Sequence, residues 1–138
     1  MKKIATFGVF DIVHFGHVRF LERCKGLVNN SELIVVLSRD STVLREKGKK
    51  PLMSEEERRY IIQSLKPVDK AILGYEGTDK LRIVEDIKPD IIVLGYNQSF
   101  NEKKLEKEIK NRGVKIQVMR LKKYGNINST SIKKKMKL

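Results

Sequence analysis

Residues 33–38 read LIVVLS and residues 90–95 read DIIVLG. A strand with one wet face alternates polar and apolar side chains, whereas a strand covered by helices on both faces runs continuously apolar. These two runs are therefore expected to be central strands of a parallel sheet. Working outward, residues 4–8 and 70–73 read as further strands and residues 115–121 as the last one. Charged stretches with helical spacing lie between them. Residues 18–27 place Phe20, Leu21, Cys24 and Leu27 on one side. Ser54 opens a helix with Glu57 three residues on, a capping box whose inner face carries Ile61, Ile62 and Leu65. Residues 80–87 are helical and stop before Pro89, which also biases Lys88 away from helical geometry. Residues 102–111 form a charged helix closed by Gly113, and the tail from Ser129 is expected to be helical. Strand–helix alternation of this kind implies an α/β, Rossmann-like three-layer fold with about five parallel strands flanked by helices and right-handed crossovers. A chain of 138 residues suits a single domain over 1–138.

Composition narrows the function classes. The chain carries 30 Lys+Arg against 17 Asp+Glu, a net charge of +13, which draws polyanions. Nucleic acid is one such partner; a nucleoside triphosphate with a phosphorylated second substrate is another. The aromatic residues are few and not interleaved with the lysines, so the stacking platform of a single-strand binder is missing. No apolar run approaches the length of a membrane helix. The start, MKKIATFGVFD, superficially suggests a signal peptide, but it lacks a long apolar core and Asp11 interrupts it. It reads as the first strand. The one cysteine, Cys24, allows no intrachain disulfide, and a small buried hydrophobe is its expected role. A cytoplasmic location is expected.

Both histidines of the chain lie in residues 7–17, FGVFDIVHFGH. The segment leaves the first strand and leads into a helix, the place where α/β folds bind ligands. Amides and the positive dipole end at a helix start favour a phosphate, and Gly16 lets backbone approach one closely. His14 and His17, three positions apart, share a face of a starting turn. Two donors converging there suit the charge that develops in phosphoryl or nucleotidyl transfer. A metal pair using Asp11 as third ligand, or a structural turn with satisfied histidines, also accounts for the spacing.

GVFDIVHFGH (8–17) resembles the signature of the HxGH nucleotidyltransferase superfamily, specifically its cytidylyltransferase-like family. The resemblance continues through the basic segment REKGKK (45–50), SEEERRY (54–60) with its arginine pair, KPVDKAILG (66–74), KPDIIVLGYNQ (88–98) and NSTSI (128–132). It implies transfer of a nucleoside monophosphate from a triphosphate to a phosphorylated acceptor, in line and without a covalent enzyme intermediate. By resemblance His14 and His17 hold the triphosphate, His17 being the stronger candidate, and Phe15 and Gly16 belong to the same site. Lys47, or its neighbours Lys49 and Lys50, together with Arg58 or Arg59, would neutralise phosphates. Val9 and Phe10 would line the nucleotide pocket through backbone. Asp11, Asn97, Tyr124, Ser129 and Thr130 complete the expected binding residues, with no protein metal ligand and with Mg²⁺ or another divalent cation bridging the phosphates. Among branches of the family the chain is most similar to small archaeal FAD synthases, which implies ATP and FMN as substrates and a homodimer, with neither nucleic acid nor membrane as partner. Glycerol-3-phosphate cytidylyl transfer and heptose-phosphate adenylyl transfer remain as alternatives, as does a non-catalytic nucleotide or nucleic-acid binder on the same fold.

Overall fold

The computed structural model describes residues 1–122. Five strands, β1 (Lys2–Gly8), β2 (Ser31–Leu37), β3 (Lys70–Leu73), β4 (Ile91–Leu94) and β5 (Gln117–Arg120), alternate with helices α1 (Phe15–Lys25), α2 (Asp40–Lys47), α3 (Glu55–Gln63), α4 (Arg82–Ile87) and α5 (Glu102–Asn111). The strands form one sheet in the order β3-β2-β1-β4-β5. Every pairing is parallel. The expected α/β class and strand number therefore hold.

The apolar runs are buried on both faces because helices cover both. On one face Ile4, Leu33, Val35, Leu37 and Val93 pack with Leu21 and Cys24 of α1 and Ile62 of α3. On the other, Ala5, Ile34, Val36, Ile92 and Leu94 pack with Ile83 and Val84 of α4 and Leu105 and Ile109 of α5. Successive residues of a strand point to opposite faces, so one unbroken run feeds two cores. Cys24 is fully buried, and that burial pushes its thiol up to about 12, leaving it an unreactive core residue. No helix among the described residues is long and apolar enough to cross a membrane.

The local signals decide most helix ends. Ser54 accepts from the Glu57 amide and the Glu57 carboxylate from the Ser54 amide, the reciprocal cap expected there. The helix over 102–111 ends as expected, with Gly113 at φ +84°. Lys88 leaves the helical region by turning left-handed, φ +50°. The expected helix at 80–87 is shorter, Arg82–Ile87, and the last strand contracts to Gln117–Arg120.

Two elements differ more. α1 begins at Phe15 rather than at Val18, because an imidazole caps it. α2 is not among the expected elements: residues 45–47 of the basic segment form its last turn, ended by Gly48 at φ +77°. Only Thr42 and Val43 of α2 are buried and its N-cap Arg39 makes no capping bond, so neither periodicity nor a cap marks it.

Candidate active site

The strands converge at their carboxyl ends on a cavity of about 630 Å³, walled by the segments that follow β1, β2, β3 and β4. The β1–α1 connection forms one side of it. Gly8 and Phe10 are matched there: Phe10 is buried at φ +52°, and a Cβ on Gly8 would stand 2.7 Å from its ring. Gly8→Ala is accordingly expected to cost about 1–3 kcal/mol through overpacking and to lower turnover with it. Thermal melting alongside initial rates checks this; an unchanged melting temperature would contradict it.

His14 is the N-cap of α1. Its Nδ1 accepts the Gly16 amide at 3.0 Å, and His17 Nδ1 accepts the His14 amide at 3.3 Å. The rings stack with centroids 3.9 Å apart, and Phe10 meets His17 edge-on at 5.3 Å. A neutral imidazole whose Nδ1 accepts carries its proton on Nε2. His14 Nε2 is thus a donor in the cavity wall, buried and without a partner among the described residues. A buried orphan of this kind costs free energy unless something accepts from it, which is an observation that favours an anionic ligand. The amides of Gly16 and His14, expected to be open to phosphate, are instead spent on the two imidazoles.

Burial lowers the pKa of His14, and burial together with the adjacent His14 lowers His17 to about 4, offset in part by a hydrogen bond to the Ile12 backbone. His17 in the fold stays neutral down to about pH 4, whereas in the unfolded chain it charges below about 6.5. Between those values the unfolded chain binds a proton that the fold refuses. The stability linked to His17 is therefore full above pH 6.5 and falls as pH is lowered toward 4. Proton NMR titration of the two histidines measures this directly, and a His17 midpoint near 6.5 would contradict it.

Asp11 was expected among the ligand contacts. It stands in the cavity wall, and its carboxylate accepts the amides of Leu52, 2.9 Å, and Met53, 3.0 Å, pinning the segment between α2 and α3 against the histidine turn. Arg58 lies elsewhere than expected. It is fully buried and absent from the cavity wall. Its donors go to the Met53 carbonyl at 3.1 Å, the Val9 carbonyl at 2.9 Å and Asp40 at 2.7 Å. These contacts tie the end of β1, α2 and the start of α3 together, and they place Arg58 behind the cavity wall rather than in it. Arg59 pairs with Glu56 on the far side of α3. Phe15 also stands outside the wall, its ring largely exposed.

The cations that do wall the cavity include Lys47, Lys49 and Lys50, all exposed, with Arg39 and Lys80. Arg39 is held by Glu55 and the Gly74 carbonyl, and Lys80 pairs with Glu46. Neither Arg39 nor Lys80 stood out in the sequence, where single basic residues in a lysine-rich chain carry no signal. Val9, Phe10, Gly16 and Asn97 line the same cavity. Tyr124, Ser129 and Thr130 lie outside the described residues. The structure thus gathers lysines and one open imidazole donor at the carboxyl ends of a parallel sheet, around a fixed imidazole pair.

That combination of fold and motif defines a nucleotidyltransferase, and the chain belongs to the cytidylyltransferase-like family, whose sequence profile matches residues 5–135. A protein named FAD synthase from Aciduliprofundum boonei is 51% identical over 134 residues, 97% of this chain and 87% of its own. A second FAD synthase, from Thermoplasma volcanium, is 45% identical over 99% of this chain and 94% of its own. Among solved structures, the lipopolysaccharide core biosynthesis protein from Thermoplasma volcanium GSS1 superposes with a TM-score of 0.84 at 45% identity, covering 91% of this chain and 99% of that one. Thermotoga maritima TmcAL bound with alpha-thio ATP shares the fold, with a TM-score of 0.73 at 14% identity over 99% of this chain and 50% of that one.

Proposed function

We propose that this chain transfers AMP from ATP to the phosphate of FMN, giving FAD and pyrophosphate. The observation that carries the transfer chemistry is the neutral imidazole pair with one buried, unpartnered Nε2–H in a lysine-walled cavity. An FMN phosphate oxygen attacks the α-phosphorus of ATP, a P–O bond forms, and the bond to the bridging oxygen of the β-phosphate breaks. Negative charge grows on the phosphoryl oxygens and on the departing pyrophosphate. His14 donates from a position fixed before the reaction, so no reorganisation is needed when that charge appears. Lys47, Lys49 and Lys50 neutralise the leaving group, and no protein nucleophile is required.

The acceptor assignment is supported by the archaeal relatives named FAD synthase, which align over nearly the whole chain. Mg²⁺ or another divalent cation is expected with the triphosphate. Phosphate oxygens of the triphosphate would supply ligands to it. We place the enzyme in the cytoplasm as a homodimer, a state that analytical sedimentation reads. The test of the chemistry is pyrophosphate release with ATP and CTP, each offered with FMN, glycerol 3-phosphate and a heptose phosphate. Release with ATP and FMN alone supports the proposal. Release only with CTP and glycerol 3-phosphate, or only with the heptose phosphate, overturns the substrates and keeps the mechanism.

A further inference from the structure

Arg120 ends β5, two strands away from the histidines. Its Nη1 donates to the carbonyls of Gly95 at 2.8 Å and Gln98 at 2.6 Å, with that of Tyr96 at 3.5 Å. Its Nη2 donates to the Phe100 carbonyl and, at 2.8 Å, to Glu102, whose carboxylate also accepts from Nε at 3.1 Å. All five donors of the guanidinium are used. The hydrogen bond from Arg120 holds the Glu102 carboxyl below its ordinary range, so the anchor stays charged. The segment between β4 and α5 is therefore folded around one side chain, its carbonyls turned inward.

Gln98 ties the same segment from the other side. Its Oε1 accepts the Gly95 amide at 2.8 Å and its Nε2 donates to the Phe7 carbonyl at 2.9 Å. Since β4 lies between β1 and β5, Gln98 moors the loop to one neighbour and Arg120 to the other. What the loop then presents to the cavity is Tyr96, Asn97, Ser99 and Phe100, all exposed in its wall. A Cβ on Gly95 would lie 3.6 Å from Asn97 Oδ1, so the Asn97 side chain rests back over the moored end of the loop.

We infer that Arg120 is a positioning residue for the nucleotide, setting the loop face against which ATP is held without touching ATP itself. This rests on the reading of the cavity as an ATP site. A lysine keeps the charge but offers its donors from one atom, and cannot span carbonyls and carboxylate as the planar fork does.

Arg120→Lys is therefore expected to raise KM for ATP at least tenfold, with kcat within threefold and KM for FMN within twofold of the parent. Asn97→Ala alone should raise KM for ATP, and in the Arg120→Lys background it should add less than twofold, since the loop it sits on is already displaced. Should Arg120→Lys fail to fold, Glu102→Gln loosens the guanidinium without removing it and should move KM for ATP in the same direction by a smaller factor. A parental KM for ATP in the folded variant overturns the inference. So does a loss shared equally by kcat and both KM values, or a fully multiplicative double variant. Calorimetric titration with ATP alone separates this from the proposed function: a parent that binds ATP but makes no FAD fails the latter, while weaker ATP binding by Arg120→Lys still sustains the role of Arg120.

Discussion

His14→Asn is expected to lower kcat for FAD formation about 10²–10³-fold while leaving the melting temperature within a few degrees of the parent. The two consequences separate because His14 does two things with two nitrogens. Nδ1 accepts the Gly16 amide and caps α1. Nε2 is the buried donor without a partner. Asparagine is among the best N-capping residues, and its side-chain oxygen can take over the bond to Gly16. It has no atom reaching as far as Nε2. The variant therefore keeps the helix start and removes the donor to which the proposed mechanism assigns the reacting phosphate. His14→Ala removes both and should add about 1 kcal/mol of destabilisation to the same kinetic loss. Turnover near the parental rate in a well-folded His14→Asn protein would show that the pair is a structural turn.

The second large effect concerns stability. Arg58→Met should destabilise the fold by about 3–5 kcal/mol, the cost of breaking a buried ion pair from one side, and lower the melting temperature by about 10–20 °C. Methionine fills much of the same volume, so packing is not the main loss. The loss is three polar contacts of a fully buried guanidinium: the half-buried Val9 carbonyl, Met53 carbonyl and Asp40 carboxylate each lose that donor. Asp40 also joins α2 to α3, exchanging bonds with Glu55 through the two backbone amides. Removing Arg58 thus frees the end of β1, the segment carrying Lys49 and Lys50, and the α2–α3 junction together. A phosphate-binding Arg58 would behave oppositely, keeping the parental melting temperature and raising KM for ATP.

These two residues also show where sequence reading succeeds and where it stops. The LIVVLS and DIIVLG runs mark the doubly covered strands because they are short, continuously apolar and rich in Ile and Val. The helices over 55–63 and 102–111 are legible for a local reason, since Ser54 and Gly113 mark their ends within a few residues. The start of α1 is missed by three residues because imidazole is an unusual cap. α2 is missed because tertiary contacts, not its own pattern, hold it. The histidine turn is legible because both histidines of the chain stand in it. Arg58 is not, since its partners come from three separate segments. Nor is Arg120: four of its acceptors are backbone carbonyls, which every residue carries and no sequence distinguishes. Lys47, Lys49 and Lys50 look like any solvated run until the structure sets them on the cavity wall.

The measurement that bears most directly on the whole account is the product formed by the purified chain from ATP and FMN with Mg²⁺, identified by mass and counted against pyrophosphate. FAD and pyrophosphate are expected in equal amounts, with no adenylated protein at any time. Hydrolysis of ATP without FAD, or no product from this pair while CTP and glycerol 3-phosphate react, would contradict it.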